Sequence, residues 1–372
     1  MTSFEMAADA GTEALREHDL TDLAAHMRRL DETALLGITR ALSADRALVA
    51  GEPRSAEEVM RALGVVPRHH WIVRRWLRVL VEEGRLTGDG RYRGLVVAGE
   101  AEFAASRAAL DDARRALGYP PELTRFFLQS IDCLPLLVRD EVSVQNIMFP
   151  DGDFATALGT YSHNIISTYT NRVAAVLVRQ IARAGARRVL EVGAGIGGTT
   201  AGVVEELERA GLSGVDYEFT DLSRFFLVPA AERFADRPWM RFGLFDVNAE
   251  PDRPEQSVDL IIAANVLHNA HDVDVVLARL RGLLAHGGHL VIIESCREHY
   301  QVMTSMQFLM SGRVGEARQD FTDFRAGTDR IFLTEHEWVE RLTAGGFRVG
   351  PVLPGAGSPL APLAQHVFTA CV

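Results

Sequence analysis

The sequence contains no lysine, because every one of its 39 Lys-plus-Arg positions is an arginine. A chain without lysine cannot form a Schiff base, attach pyridoxal phosphate or build a P-loop around a lysine. Cysteine is scarce as well, since Cys133, Cys296 and Cys371 lie far apart and form no CxxC or metal-binding pattern. This spacing argues against a disulfide framework and favours a reducing compartment.

Long apolar runs and an excess of positive charge are also missing. No stretch approaches the roughly 18 uninterrupted apolar residues of a transmembrane helix, so we expect no membrane span. Residues 1–19 lack a basic segment followed by an apolar one, which predicts a cytoplasmic protein without a signal peptide. The net charge of −11 argues against a nucleic-acid partner, because a general nucleic-acid binder needs a positive surface against phosphate.

The chain has the length of two domains and a globular composition, with 372 residues of which 47% are hydrophobic and 24% charged. We predict a helical domain over residues 1–105, a helical connector over 106–160 and an α/β domain over 161–372. In the first domain, Ser55 and Glu58 form a capping box at a helix start. A second amphipathic helix and a Gly-Asp-Gly turn follow, and this order of helix, turn, helix and wing predicts a winged helix.

A winged helix is compatible with two functions, DNA binding and dimerisation. The basic side chains on and just before its second helix are Arg68, His69, His70, Arg74, Arg75 and Arg78. The same helix carries Glu82 and Glu83, and the rest of the domain is acid-rich. Because acids repel the DNA backbone, we favour a homodimer formed through this domain.

Strand-like and helix-like segments alternate from residue 187 onward, which predicts a parallel, doubly wound, Rossmann-like sheet. The predicted parallel strands cover residues 188–192, 216–220, 240–245, 258–264 and 289–294. The final segment, 347–372, can add an antiparallel pair at one edge, which makes a mostly parallel sheet of seven strands. Ligands bind to such sheets at the carboxyl ends of the strands.

A glycine loop, VLEVGAGIGGTT (189–200), connects the first of these strands to a helix. Gly193, Gly195 and Gly197 allow a tight turn and a close approach of the backbone to a ligand. A GxGxxG loop alone suits NAD and FAD equally well. Glu191 changes this interpretation, because its carboxylate would repel a pyrophosphate but suits the ammonium group of an amino acid.

Two further acids end the next two predicted strands. Asp221 follows Gly195 by 26 positions, and its carboxylate can accept hydrogen bonds from both hydroxyls of a ribose. Asp246 ends the third strand, within reach of an adenine amino group. Each acid alone could cap a helix, but acids at three consecutive strand ends are better explained by a ligand at that edge.

Five segments in order, VLEVGAGIGGTT, YEFTDLSRFF, FDVN, DLIIAANVLHNAHDV and LLAHGGHLVIIE, resemble class I S-adenosylmethionine-dependent methyltransferases. Within that superfamily the chain looks most like the carbon methyltransferase domains of polyketide and nonribosomal peptide synthetases. The winged-helix front end is instead similar to that of free-standing O-methyltransferases, which dimerise through it. The resemblance implies a free-standing enzyme with the Rossmann-like methyltransferase fold that uses S-adenosylmethionine, releases S-adenosylhomocysteine and needs no metal ion.

The resemblance also assigns the parts of the cofactor to residues. Glu191 and the glycine loop would hold the methionine moiety, Asp221 the ribose and Asp246 the adenine. The remaining members of the predicted cofactor site are Phe245 and Val247, near the adenine ring, with Leu222 and Asn265.

A histidine and a glutamate end the fourth and fifth predicted strands. In the resembled carbon methyltransferases, the motif around His268 supplies a catalytic histidine, and a glutamate ending the next strand orients it. Glu294 follows His268 by 26 positions here, and the two strands are predicted neighbours. A carboxylate partner fixes the imidazole tautomer and stabilises the imidazolium once a proton is taken, so we predict His268 as general base.

Other interpretations of this segment stay open. His268 could be a buried histidine bonded to a backbone carbonyl, with Glu294 a solvated strand end. His271 is a rival base, but with Asp272 it is better placed to cap the next helix. A metal site of His268, His271 and Asp272 lacks a further ligand at a recognised spacing.

The acceptor site is less clearly marked in the sequence. The candidate substrate residues are Tyr161, Asn164, Tyr300, Met303 and Arg325. Tyr300 and Met303 begin a methionine-rich segment that would form either a lid or core packing. Arg325 would hold a carboxylate or phosphate, or else pair with nearby surface aspartates.

We predict a methyltransferase of specialised metabolism, such as antibiotic biosynthesis, that acts on a small acceptor, free or carrier-bound. A carbon acceptor is favoured, in a keto acid, a β-carbonyl compound or a phenolic amino acid, with O- or N-methylation as the alternative. The rival classes are a DNA-binding regulator that senses S-adenosylmethionine and a nicotinamide oxidoreductase.

Overall fold

The computed structural model describes residues 2–48, 52–150, 155–212 and 214–372. Within these ranges a helical front part precedes a sheet of seven strands, most of them parallel. This architecture confirms the predicted fold class. None of the described helices combines the length and the apolar character needed to cross a membrane.

The elements follow one another in the predicted order. The helices before the sheet are α1 (Ser3–Glu13), α2 (Leu23–Ser43), α3 (Ala56–Leu63), α4 (His70–Glu82), α5 (Glu100–Ala116), α6 (Pro121–Asp132), α7 (Leu134–Leu137), α8 (Val144–Met148), α9 (Ala155–Tyr161) and α10 (Ile165–Arg183). The later helices are α11 (Gly198–Arg209), α12 (Arg224–Arg233), α13 (Val273–Leu283), α14 (Tyr300–Met303) and α15 (Glu335–Ala344). The strands are β1 (Arg54–Ser55), β2 (Arg91–Tyr92), β3 (Arg188–Val192), β4 (Asp216–Asp221), β5 (Met240–Leu244), β6 (Val258–Ala264), β7 (Leu284–Ser295), β8 (Arg348–Val349) and β9 (Gln365–Cys371).

The sheet has the strand order β5-β4-β3-β6-β7-β9-β8. Strands β3 to β7 are parallel, and β9 pairs antiparallel with both β7 and β8. From β3 the chain winds outward to β4 and β5 on one side and returns to β6 on the other. The strand order therefore reverses between β3 and β6, where doubly wound sheets bind their ligands.

Alternating side chains of β6 pack on opposite faces of the sheet. Leu260 and Ile262 join an apolar cluster that includes α1, α10 and α11. Ile261 and Ala263 join a second cluster that includes α13 and α15. A parallel strand covered on both faces needs a continuous apolar run, which is why this strand could be located from sequence alone.

The front part contains the elements that a winged helix requires. Ser55 and Glu58 form the predicted capping box at the start of α3, and Gly84 follows α4 with a positive φ of 68°. The short antiparallel pair of β1 and β2, together with a bridge between Thr87 and Arg93, forms the turn after α4. The winged-helix assignment and the dimerisation role remain predictions.

The basic side chains of α4 and the turn before it pair with acids inside the chain. Arg68 pairs with Asp140, Arg75 pairs with Glu298, and Asp329 pairs with both Arg74 and Arg78. Glu298 and Asp329 both follow β7, so these ion pairs fasten α4 to the second half of the chain. Their charges are neutralised there, which removes the free basic face that DNA phosphate would need.

Helix α1 lies in the predicted first domain but packs against a helix of the predicted α/β domain. It packs on α10, where Gly11 lies so close to Tyr169 and Val173 that a Cβ atom at this position would meet both side chains at 2.7 Å. Phe4 likewise fills the space that a side chain at Gly350 would need. The first helix therefore packs with the sheet, although the prediction placed residues 1–105 in a separate domain.

Candidate functional site

A cavity of about 700 Å³ opens at the carboxyl ends of β3 and β6, where the strand order reverses. Its lining from the sheet and the following loops includes Gly193, Gly195, Gly198, Thr199, Ser223, Ala264 and Asn265. Its lining from the helical front part includes Gln145, Met148, Phe149 and Tyr161. The cavity is large enough for a cofactor of nucleotide size.

The glycine loop has the backbone conformation that its sequence predicts. Gly193 and Gly195 have positive φ angles of 61° and 54°, which side chains disfavour. A Cβ atom on Gly193 would also collide with Val266. Gly197 does not line the cavity and stands at the start of α11, whereas the next residue, Gly198, does line it.

Glu191 is a buried carboxylate two residues before Gly193. Its Oε2 accepts hydrogen bonds from the hydroxyls of Thr200 at 2.7 Å and Tyr217 at 2.6 Å. Its Oε1 is buried and has no hydrogen-bond partner among the described residues. Burial raises the pKa of Glu191 to about 7. Its unpartnered oxygen leaves one unsatisfied polar atom next to the glycine loop.

Asp221 ties the glycine loop to β4. Its Oδ2 accepts the backbone N–H of Gly195 at 3.0 Å, and its Oδ1 accepts that of Ser223 at 2.9 Å. Burial raises the pKa of this carboxyl above its ordinary value, against the lowering effect of these bonds. Asp221 thus positions the loop, and its carboxylate lies at the same edge of the sheet as Glu191.

A second cavity, of about 100 Å³, adjoins the first. Tyr161 and Asn265 line both cavities and therefore form their common wall. The second cavity is also lined by His268 and by the methionines Met306 and Met310. A ligand in the large cavity and one in the small cavity would meet at this wall.

His268 and Glu294 form the predicted contact, with 2.7 Å between Nδ1 and Oε2. The other carboxylate oxygen accepts the backbone N–H groups of Val266, Leu267 and His268 at 3.0, 2.7 and 3.2 Å. Glu294 is fully buried, so it is not a solvated strand end. Because an ionised carboxylate only accepts, Nδ1 donates in this contact, and Nε2 is the nitrogen without a proton in the neutral imidazole. Within the described chain Nε2 has no hydrogen-bond partner.

The chain resembles known methyltransferases in sequence and in fold. A family model for a methyltransferase domain matches residues 190–290. Pyochelin synthetase PchF of Pseudomonas aeruginosa is 31% identical over 351 residues, which are 91% of this chain and 19% of that protein. The crystal structure of the CurJ carbon methyltransferase matches with a TM-score of 0.87 and 25% identity, over 99% of this chain and 98% of that one. Residues 190–290 therefore form a methyltransferase domain, and the chain has the fold of a carbon methyltransferase.

The trans-methyltransferase CalH, whose crystal structure is a complex with S-adenosylhomocysteine, shares the fold of this methyltransferase. It matches with a TM-score of 0.65 and 20% identity, over 95% of this chain and 93% of that one. The predicted cofactor, S-adenosylmethionine, is the S-methylated form of the S-adenosylhomocysteine bound by CalH. The family model and the carbon methyltransferase structure support a methyltransferase over the alternative of a nicotinamide oxidoreductase. The chain spans about a fifth of the length of PchF, at 19%.

The residues around the large cavity fit this cofactor. The side-chain-free backbone at Gly193 and Gly195 allows close approach, and the unpartnered Oε1 of Glu191 can accept from an ammonium group. The carboxylate of Asp221 stands at the end of the neighbouring strand, as a ribose partner must. Neither carboxylate lines the cavity, so the contacts of Glu191 and Asp221 with the cofactor remain predictions.

The residues predicted for the adenine end do not line either cavity. They are Leu222, Phe245, Asp246 and Val247. Leu222 is 68% exposed, and the Oδ1 of Asp246 accepts the backbone N–H of Asn248 at 2.8 Å. Val247 is buried in the apolar cluster that includes α13. Their cofactor contacts remain predictions.

Three aromatic rings that the sequence analysis did not select line the large cavity instead. Phe149 lies 5.6 Å from Phe225 between ring centroids, and Phe225 lies 5.1 Å from Phe226. Phe225 and Phe226 follow Asp221 within the same motif. The sequence signal for these rings is the pair of consecutive phenylalanines at the start of α12, a helix whose apolar residues do not form a single face.

The structure corrects the prediction for Arg325, because this residue is neither an anion-binding group nor a member of a surface ion pair. It is fully buried and pairs with Asp323 at 2.6 Å. Its guanidinium also donates to the carbonyl oxygens of His268 at 2.8 Å and Ala270 at 2.7 Å. Arg325 therefore holds the loop that carries the histidine.

The neighbouring Asp272 caps α13, as predicted, by accepting the backbone N–H groups of Asp274 and Val275. His271 does not share this capping role. The described residues contain no cluster of three or more His, Cys, Asp or Glu side chains arranged to hold a metal ion.

Of the other four substrate candidates, two line a cavity and two do not. Tyr161 lines both cavities, and Asn164 lines the small one but uses its amide to cap α10. Tyr300 donates its hydroxyl to Glu83 at 2.6 Å, and Met303 is buried in the core with its carbonyl bonded to a tryptophan. Neither of these two lines a cavity.

Proposed function

We propose that this methyltransferase methylates the α-carbon of a β-carbonyl acyl group, which is held as a thioester on a carrier protein. The observation that carries the proposal is the His268–Glu294 pair, which faces a small cavity adjoining the cofactor cavity. The relatives PchF, a pyochelin synthetase, and CurJ, a carbon methyltransferase, support this class of acceptor. S-adenosylmethionine, when bound, supplies an electrophilic methyl group.

His268 has the tautomer that this chemistry needs. Glu294 accepts from Nδ1, so the lone pair of Nε2 is free to take a proton. In the proposed step the α C–H bond breaks, its proton moves to Nε2 and its electron pair delocalises onto the carbonyl oxygen. The buried carboxylate then stabilises the imidazolium. The enolate carbon would form the new C–C bond as the methyl–sulfur bond of S-adenosylmethionine breaks, with S-adenosylhomocysteine as the leaving group.

Tyr161 and Asn265 are placed to stabilise the enolate oxygen. Both line the wall between the cavities. Burial, with a smaller effect from Glu294, raises the pKa of Tyr161 to about 12, so its hydroxyl stays a donor at neutral pH. The Asn265 carbonyl accepts from Gln365 at 3.0 Å, which leaves the amide hydrogens for the ligand. Preorganised donors of this kind act on the developing charge.

The test is product analysis combined with a histidine variant. Wild-type enzyme is given β-ketoacyl, keto-acid and phenolic acceptors, and the position of the new methyl group is read by mass spectrometry and NMR. We expect methylation at the α-carbon of the β-ketoacyl thioester. His268→Ala should keep its affinity for S-adenosylhomocysteine and lose about 100-fold or more in methyl transfer.

Two outcomes contradict the proposal. A methyl group on oxygen or nitrogen would exclude the carbon acceptor, and unchanged turnover by His268→Ala would assign the histidine a purely structural role. Wash-out of α-deuterium without methyl transfer separates the two steps, since it needs the base alone.

A further inference from the structure

Five polar side chains around the small cavity make their hydrogen bonds within the protein. Those so engaged are Thr160, Asn164, Ser167, His299 and Gln365. The groups left for a ligand are Nε2 of His268, the hydroxyls of Tyr119, Tyr161 and Ser295, the amide hydrogens of Asn265 and the side-chain oxygen of Gln301. The ligand of this cavity is therefore offered a small and specific set of partners.

Besides Nε2 of His268, which the proposed reaction uses as the base, the side-chain oxygen of Gln301 is the member of this set that can only accept. Its side chain is buried, and its Nε2 lies 3.3 Å from the thioether sulfur of Met27 on α2. A thioether accepts weakly and cannot donate, so this contact orients the amide with its nitrogen toward Met27. The oxygen Oε1 is buried without a partner among the described residues. Burying an acceptor without a hydrogen bond costs free energy, and a donor that reaches the acceptor removes this cost.

The proposed reaction accounts for the other groups but not for this one. Removing the α-proton needs a base, His268, and stabilising the enolate oxygen needs donors, Tyr161 and Asn265. A hydroxyl such as that of Ser295 can donate or accept and selects nothing by itself. The side-chain oxygen of Gln301 has no use in proton transfer, so it is available to a donor on the substrate.

We propose that Gln301 determines specificity, by binding a hydroxyl or amide N–H that the acceptor carries close to the methylated carbon. The inference rests on the proposed function and names a narrower class of its substrates. The donor is close because His268 and Gln301 line the same cavity of about 100 Å³, which has room for a group of only a few non-hydrogen atoms. The preferred acyl groups therefore carry a polar hydrogen within a few bonds of the α-carbon.

The experiment measures binding, so that it does not depend on where the methyl group goes. Enzyme saturated with S-adenosylhomocysteine is titrated by calorimetry with pairs of β-ketoacyl N-acetylcysteamine thioesters of equal length. One member of each pair carries a hydroxyl or amide N–H, and the other carries a methyl or methylene group in its place, at successive positions along the chain. We expect wild-type enzyme to bind the donor-bearing member of one pair about tenfold to a hundredfold more tightly.

Three variants locate the origin of this preference. Gln301→Met keeps the shape of the side chain and should reduce the preference to less than about threefold. Met27→Leu leaves the glutamine in place but frees its amide to turn, so an intermediate preference is expected. Gln307→Met is the matched control, because Gln307 is a fully buried glutamine with an unpartnered Oε1 that does not line the cavity. This control should keep the wild-type preference.

Equal wild-type affinities within every pair would overturn the inference, as would a preference that survives Gln301→Met. If Gln301→Met fails to bind S-adenosylhomocysteine, the comparison of Met27→Leu with wild type decides, and an unchanged preference there counts against the inference. Methylation on oxygen or nitrogen would instead contradict the proposed function, while the binding preference would still report on Gln301.

Discussion

The histidine–glutamate pair shows how one buried side chain organises both a loop and a reactive group. The carboxylate of Glu294 accepts three backbone N–H groups with one oxygen and the imidazole of His268 with the other. Hydrogen bonds to a charged group are among the stronger ones in proteins. The position of the base and the conformation of its loop therefore depend on the same residue.

Glu294→Gln should separate these two effects. The amide oxygen can still accept the three backbone N–H groups, but the amide nitrogen would donate to Nδ1 and place the ring proton on Nε2. We expect methyl transfer to fall by about 10²–10⁴-fold, with little change in the affinity for S-adenosylhomocysteine. Steady-state kinetics and calorimetry measure the two quantities.

Glu298→Gln is the control for this substitution, since Glu298 is also a buried glutamate but pairs with Arg75 and does not line the small cavity. A loss of transfer equal in both variants would mean that the Glu294 effect is a general consequence of removing a buried charge.

Glu191 makes the stability of the protein depend on pH. Burial raises the pKa of this carboxyl from its ordinary value of 4.5 to about 7. A raised folded-state pKa contributes stability below pH 4.5, and this contribution is lost as the pH rises through about 7. Relative to Glu191→Gln, the wild type should lose up to about 3 kcal/mol of unfolding free energy across this window.

Denaturant titrations at several pH values measure this difference. Glu206→Gln provides a control of opposite sign, because ion pairs with Arg172, Arg179 and Arg209 lower the pKa of Glu206 against the effect of burial. Its contribution should be lost as the pH falls below 4.5. Parallel profiles for the two variants would contradict the assignment for Glu191.

At the scale of elements, the ends of the parallel strands were the most predictable part of the site. Buried strands have continuous apolar runs, so β3 and β6 were located within a residue, and the polar residues that end a run could be selected as candidate site residues. The contact of His268 with Glu294 followed because β6 and β7 are neighbours.

The role of Arg325 could not be predicted in this way. Its acceptors are the backbone carbonyls of His268 and Ala270, which any residue type supplies and which therefore leave no sequence signal. The packing of α1 on α10 was missed for a related reason, because the match of their surfaces is decided only in the folded chain.

Arg325→Met tests how far the histidine loop depends on its buried guanidinium. The substitution leaves the carboxylate of Asp323 buried without its partner and frees two loop carbonyls. We expect the free energy of unfolding to fall by about 3–5 kcal/mol. Denaturant unfolding measures the change.

Arg330→Met is the matched control, since Arg330 pairs with Glu337 where both side chains are partly exposed. Its cost should stay below about 1 kcal/mol. Equal costs for the two arginines would mean that burial does not set the importance of Arg325.

At the scale of the whole molecule, α4 links the helical front part of the chain to the residues that follow β7. The arginines that suggested a DNA-reading helix reach acids that lie more than 200 positions away, including Glu298 and Asp329. Their number and spacing were visible in the sequence, but their partners were not. An amphipathic basic helix and a helix that pairs with distant acids look the same until the chain is folded.

Asp329→Asn should weaken the ion pairs that link α4 to the residues after β7. Arg74 and Arg78 would then face each other's charge without the shared carboxylate between them. Because Asp329 is buried but both arginines are partly exposed, we expect a loss of about 1–3 kcal/mol in unfolding free energy. Asp320→Asn, at an exposed site without an ion pair in the described chain, should be neutral by the same denaturant assay.

The double use of Glu294 has a consequence for how this enzyme could lose its activity over evolutionary time. A relative released from selection for methyl transfer has no further need of the imidazole, but its loop still needs the carboxylate that accepts its three backbone N–H groups. Decay should therefore be ordered, with the histidine replaced first. Among relatives that have lost methyl transfer, those that retain the glutamate without the histidine should outnumber those that retain the histidine without the glutamate.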